Sequence, residues 1–118
     1  MLHASRVRTR DLLKRGPRII VVKRGAQGAT IVDARGSRDV PGVDVPVVNG
    51  LGAGDAFGAA FGAALLAGRD GDEAVRRANA AGAIVASRLS CSTAMPRVPE
   101  IDALLGGGSV VDGAVVAR

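Results

Sequence analysis

Between Val47 and Gly68 the sequence reads VVNGLGAGDAFGAAFGAALLAG, and Asp55 is its one charged side chain. The Asn-Gly-Leu-Gly stretch breaks an extended segment, and the residues after it predict a long apolar helix from about Ala53 to Ala67. Gly54, Gly58 and Gly62 recur every four residues, so they are expected to line one face of that helix and to admit another backbone at close range. A carboxylate in such company needs a structural partner or a chemical task, because an unpartnered buried charge is costly. The apolar run from Ala56 to Gly68 is shorter than the roughly 20 residues of a membrane span, and the basic opening lacks the apolar stretch of a signal peptide, so no membrane partner is expected.

The rest of the chain must pack around this helix. A length of 118 residues suits one domain, read here as a single unit over residues 1–118. Thr9 to Arg15 reads as the end of an amphipathic helix stopped by Gly16 and Pro17. Arg18 to Lys23, a β-branched run between turn signals, predicts a strand buried on both faces of a sheet. ATIVDARGSRDVPG predicts two short strands around a turn at Ala34 to Gly36, and VDVPVV a further extended segment. Gly71 and Asp72 supply a turn and N-cap for a helix from Glu73 to about Ser87 with Ala74, Ala78, Ala81 and Val85 on one face. Pro99 opens a short last helix, PEIDALL, ended by Gly106 to Gly108, and the tail to Arg118 has no clear period. The order implies an α/β layered fold with helices packed on a sheet, whose edge at residue 18 looks incomplete.

Only two residues are aromatic while 47% are apolar, so Ala, Val, Leu and Ile must build the core. Sixteen Lys and Arg against eleven Asp and Glu give +5, concentrated in RVRTRDLLKRGPR. That balance suits an anionic partner or a solvated basic helix, and without Trp, Tyr or a reading motif nucleic acid is not the expected partner. The single Cys91 forms no internal disulfide and has no metal-ligand cluster around it, the pattern of a cytoplasmic protein, and His3 is expected at the surface.

Glycine-rich turns between a strand and a helix make anion sites, because free backbone N–H groups and the helix dipole converge there. GLGAGD is such a turn. It fits neither G-x-G-x-x-G, since Asp55 stands where the third glycine belongs, nor G-x-x-x-x-G-K-[ST], since the chain has no Gly-Lys pair. What remains is an anion cradle, Gly52 to Gly54, with a carboxylate on the first helical turn. Asp55 either compensates the helix dipole or serves as a general base that takes a proton from a nucleophile attacking a bound phosphate.

NGLGAGDAFGAAFGAAL resembles the C-terminal signature of the ribokinase-like (PfkB) carbohydrate kinases. VVKRGAQGATIVD resembles that family's nucleotide-binding strand and loop, and ANAAGAIVASRLSCSTAMP its adenine-side helix and following loop. The likeness covers about residues 10–105 and leaves the tail 106–118 unassigned. Its VVKRG strand, Asn-Gly-Leu opening and SRLSCSTAMP ending are most similar to the branch that acts on a sugar acid of inositol catabolism. The resemblance implies the C-terminal, ATP-side part of a three-layer α/β/α fold, and phosphorylation of a primary hydroxyl of a sugar or sugar acid with ATP and Mg2+.

Residue by residue, the resemblance implies Asp55 as catalytic base and the N–H groups of Gly52, Ala53 and Gly54 as an anion hole for the transferring phosphoryl group. It places Lys23, Arg24, Gly25, Ala26, Gln27 and Gly28 beside the nucleotide and Asn79 near the adenine. Lys23 could equally be an ordinary strand-end cation, and Asn79 a bridge between elements. Where the family pattern carries Asp, this chain has Asn49, which with the Leu51 carbonyl could still ligate K+. Mg2+ would be held by phosphates and water, for want of an acidic cluster. Nothing matches the family's sugar-binding N-terminal part, so the isolated chain is expected to be inactive, with an apolar strand edge that leaves association with a second copy open. The competing readings are a non-catalytic nucleotide- or nucleic-acid-binding module and an inactive remnant.

Overall fold

The computed structural model describes residues 16, 18–88, 96–111 and 114–117; the expected helix end over Thr9 to Arg15, His3 and Cys91 lie outside them. Three strands, β1 (Ile20–Lys23), β2 (Ala29–Asp33) and β3 (Gly36–Val40), form an antiparallel sheet in the order β1-β2-β3. The turn at Ala34 and Arg35 pairs Asp33 with Gly36, as the turn signals predicted. Helices α1 (Ala53–Leu66), α2 (Gly71–Ala86) and α3 (Val98–Leu105) follow, then a small hairpin of β4 (Ser109–Val111) and β5 (Ala114–Val116).

The two helices at the centre make the core. Ala74, Ala78, Ala81 and Val85 of α2 are all buried, as their spacing predicted. Ala81 and Val85, with Ala56 of α1, Ile101 and Leu104 of α3 and Val110 of β4, belong to an apolar layer that Val43, Val45 and Ala60 extend. A second cluster joins α2 to the sheet through Val75, Ala29 and Ile31, with Phe57 and Phe61 of α1 packed against it. The Asp70 carboxylate accepts the Glu73 N–H at 2.8 Å and caps α2. The cap is thus Asp70 rather than Asp72, because Gly71 already lies within the helix with its α-carbon against Ile31, where a methyl group would stand 2.7 Å from Cδ1.

Three expectations are corrected. The run at β1 is half-buried, not buried on both faces, because it pairs antiparallel with β2 and no described strand covers its other side. VDVPVV forms no strand: Pro46 has no N–H to donate, and the Val48 and Asn49 N–H groups both go to the Ala86 carbonyl at the end of α2. A methyl group on Gly58 or Gly62 would meet no atom within 4 Å, so the glycine ladder does not carry a close backbone approach among the described residues. α1 instead packs through Ala53, Ala56, Phe57, Ala60, Phe61 and Ala64. The tail, unassigned by sequence, contributes the β4-β5 hairpin under α3, where Gly108 lies against the Val116 and Ala103 carbonyls.

Candidate active site

The strand-to-helix turn is held from both ends. Val48 and Asn49 donate to Ala86 at 2.8 and 3.0 Å, the Asn49 Oδ1 accepts the Leu51 N–H at 3.0 Å, and Ala53 donates to Gly50 at 3.2 Å. Gly52 then adopts the left-handed conformation (φ 88°), which glycine enters without steric cost, and α1 begins with no side-chain cap. The N–H groups of Gly52, Gly54 and Asp55 therefore have no backbone acceptor among the described residues. Unpaired donors at a helix start are what an anion requires. Asp55 stands on this first turn and is exposed, so the charge that looked isolated in the sequence faces solvent rather than the core.

Beside the turn opens a cavity of about 710 Å3, within the usual range for small-molecule sites. Its walls come from four stretches of the chain: Lys23 to Gly28, Gly42 to Gly50, Ala53 to Phe57, and Asn79 to Ala86. The loop after β1 turns through a short 3-10 helix (Gly25–Gln27) and lies directly on the segment after β3. A methyl group on Gly28 would stand 2.1 Å from the Val40 carbonyl oxygen, and one on Gly42 2.3 Å from that of Ala26. Only glycine at both positions allows that approach, and Gly28 also needs its positive φ of 100°.

Of the residues singled out from sequence, Lys23, Gly25, Ala26, Gly28, Ala53, Gly54 and Asn79 line this cavity. The Lys23 ammonium lies 5.7 Å from the centre of the Phe57 ring and against Gly54, which joins the end of β1 to the start of α1. Asn79 is buried, and its Nδ2 donates to the Val40 and Pro41 carbonyls at 3.3 and 3.2 Å. Arg24 is directed elsewhere: its Nε donates to Thr30 Oγ1 at 2.8 Å, and that hydroxyl donates to Asp39 Oδ1 at 2.7 Å, tying the loop to the sheet. Gln27 is exposed and does not line the cavity. Gly52, Asp55, Asn49 and Leu51 lie at the rim turn rather than on its wall.

Sequence reading missed Gly42, Val43, Asp44, Val45, Ala83 and Ala86 as wall residues. A signal existed for the helical part: Asn79, Gly82, Ala83 and Ala86 recur at helical spacing, a stripe of small residues beside the apolar face of α2. No group of three or more His, Cys, Asp or Glu that could hold a metal occurs among the described residues. No helix among them is long and apolar enough to cross a membrane.

A three-stranded antiparallel sheet backed by helices, with open N–H donors at a glycine turn beside a cavity, defines an α/β protein with an anion-sized turn at a helix start. The model of the pfkB family of carbohydrate kinases matches residues 3–98, and the chain belongs to that family. It is 46% identical over 71 residues to the ATP-dependent ribose-1-phosphate kinase of Halopiger xanaduensis, covering 60% of this chain and 24% of that one. To the 5-dehydro-2-deoxygluconokinase of Halalkalibacterium halodurans it is 36% identical over 97 residues, covering 81% and 29%. Among solved structures, ribokinase from Thermotoga maritima superposes with a TM-score of 0.80 at 32% identity, over 85% of this chain and 34% of that one. A putative ribokinase II from E. coli in complex with ATP and Mg2+ gives 0.78 at 34% identity, over 82% and 32%. The fold is thus part of the ribokinase fold, and the chain spans about a quarter to a third of the length of the relatives it matches.

Proposed function

We propose that residues 1–118 form one partial kinase unit, the nucleotide-binding and base-bearing part of an enzyme that transfers the γ-phosphoryl group of ATP to a primary hydroxyl of a sugar or sugar acid. The observation that carries this reading is the first turn of α1. Open N–H donors and a carboxylate share that turn, and a cavity with an ammonium on its wall adjoins it. A carboxylate there would repel a bound phosphate unless it received a proton. Asp55 takes the proton of the substrate hydroxyl as its oxygen attacks the γ-phosphorus, while the bond to the bridging oxygen of ADP breaks. The N–H groups of Gly52 and Gly54, with that of Ala53 when it leaves Gly50, hold the negative charge of the phosphoryl oxygens.

Lys23, Gly25, Ala26 and Gly28 run beside the nucleotide, and Asn79 faces its base. Arg24 contributes by holding the loop to the sheet. Mg2+ would come with ATP, neutralising phosphate charge and held by phosphates and water. Asn49 Oδ1 accepts the Leu51 N–H, so a K+ ion at Asn49 and the Leu51 carbonyl would share that oxygen through its second lone pair. The relatives named 5-dehydro-2-deoxygluconokinase favour 5-dehydro-2-deoxygluconate, a sugar acid of inositol catabolism, as acceptor; the cytoplasm is the proposed location, on the cysteine pattern of the sequence alone.

The 118-residue chain alone is expected to bind ATP and to turn over no sugar acid. Joined to the N-terminal portion of the Halalkalibacterium halodurans relative, it is expected to phosphorylate 5-dehydro-2-deoxygluconate, with Asp55→Asn lowering kcat roughly 100- to 10,000-fold. Unchanged turnover in that variant would remove Asp55 from the reaction. Salt-sensitive duplex binding by a chain that ignores ATP would favour a nucleic-acid-binding module instead.

A further inference from the structure

Thr30 is buried at 1% exposure, yet its hydroxyl stands between two charged side chains. Arg24 Nε donates to Thr30 Oγ1 at 2.8 Å, and Thr30 Oγ1 donates to Asp39 Oδ1 at 2.7 Å. The register sets Thr30 directly opposite Asp39 across β2 and β3, so the second bond is a cross-strand pair. The direction of both bonds is forced. A guanidinium only donates and an ionised carboxylate only accepts, so the single hydroxyl hydrogen goes to Asp39 and a lone pair is left for Arg24. Each bond has one charged partner, which places it in the stronger class. What these bonds hold is the start of a cavity wall. The Arg24 N–H donates to the Gly28 carbonyl at 2.8 Å and closes a turn, of which Gly25, Ala26 and Gly28 line the cavity. The far end of that turn rests on the same strand, since a methyl group on Gly28 would collide with the Val40 carbonyl oxygen. Asp39 and Val40 are consecutive, so the end of β3 supports the turn at both ends, through the Thr30 hydroxyl at one and through backbone contact at the other.

We infer that Thr30 is a positioning residue for nucleotide binding: through Arg24 its hydroxyl fixes the turn from Gly25 to Gly28 on the cavity, and Asp39 fixes the hydroxyl. The inference rests on the nucleotide reading of the cavity and extends it to a residue that lines no part of the wall. Valine has nearly the shape of threonine and suits a strand as well, but it neither donates nor accepts, so it cuts the link without opening a hole. Released from Thr30, the Arg24 side chain and the turn behind it sample other conformations, and a ligand must order them as it binds. Serine keeps the hydroxyl and therefore the link.

The test titrates the Mg2+ complex of ATP calorimetrically into the 118-residue chain and its variants, and records the urea midpoint of each. Thr30→Val is expected to weaken ATP binding roughly tenfold with its midpoint nearly unchanged, and Thr30→Ser to weaken it less than about threefold. Arg24→Ala is expected to match Thr30→Val, and the double variant to be no weaker than either alone, since both changes cut one link. Binding by Thr30→Val within about twofold of the native chain, or losses that add in the double variant, overturn the inference while leaving the nucleotide site in place. A loss that Thr30→Ser shares in full, or that comes only with a matching fall in the midpoint, overturns it too. Where Thr30→Val does not fold, Arg24→Ala decides, and native-like affinity in that variant overturns the inference. No binding by the native chain overturns both the inference and the nucleotide reading.

Discussion

The ammonium of Lys23 lies 3.1 Å from the point where a methyl group on Gly54 would stand. Strand and helix thus meet at the anion cradle through one cation and one missing side chain. Gly54 is in the first turn of α1 with an ordinary helical backbone, so alanine is favoured there by helix propensity. Gly54→Ala is expected to leave the unfolding midpoint unchanged or raised, since the lysine tip can move. ATP affinity should drop several-fold because the ammonium is displaced. Thermal unfolding and calorimetry on one sample separate the two effects, and unaltered affinity would mean that Lys23 does not serve the phosphates.

Gly28 offers the opposite case. Its φ of 100° and the Val40 carbonyl 2.1 Å from a would-be Cβ leave alanine neither conformation nor space. The blocking atom is backbone, so relief requires moving the Pro41–Gly42 segment. Gly28→Ala is expected to cost about 3 kcal/mol or more in urea unfolding, and ATP binding should be lost with the cavity wall. A loss under about 1 kcal/mol would contradict the close approach.

Asp70 caps α2 through the Glu73 N–H. Asp70→Ala is expected to destabilise by about 1 kcal/mol, and Asp70→Ser or Asp70→Asn by only a few tenths, since those side chains keep an acceptor. Urea midpoints for the three variants check the ranking. A Ser variant as damaged as the Ala variant would locate the effect in charge rather than capping.

Acid should loosen the fold at a definite place. Arg38 joins Asp33 and Asp72, donating to Asp33 at 2.8 and 3.0 Å and to Asp72 at 2.7 and 3.0 Å. Its hydrogen bonds, against the opposing effect of burial, hold the Asp33 carboxyl down at about 2 instead of 3.8. Burial pushes the Glu100 carboxyl up, but the Arg97 N–H and the Arg88 guanidinium outweigh it, and the net shift is also downward. A carboxyl with a folded value below its unfolded one stabilises fully above the unfolded value and loses that contribution as pH falls. Stability is therefore expected to hold from neutral pH to about pH 4 and to decline between about pH 4 and 2. The decline should be shallower in Asp33→Asn; an identical slope would place the acid sensitivity elsewhere.

Much of the local structure was legible because its signals are local. Turn residues at Ala34 to Gly36 fixed the hairpin, and the apolar spacing of Ala74, Ala78, Ala81 and Val85 fixed the buried face of α2. The β1 run misled because an unbroken apolar stretch does not say which neighbours will cover it. VDVPVV misled for a related reason, since its donors leave for Ala86, a partner almost forty residues on. The glycine spacing of α1 permits a close approach but does not supply the element that would use it. Three-residue strands such as those of the tail are too short to show a period.

The candidate site divides in the same way. Sequence alone determined that a carboxylate would stand on the first turn of a helix behind a glycine turn, because glycine conformation, helix start and side-chain order are properties of a few consecutive residues. Only the tertiary structure decided that Lys23 would reach Gly54, that Arg24 would turn to Thr30 rather than to the cavity, and that Val40 and Pro41 would fix the amide of Asn79. Those outcomes depend on segments tens of residues apart being packed to within a hydrogen-bond length. Distances of that kind are set by the shared core of α1, α2 and the sheet, not by any stretch of chain read by itself.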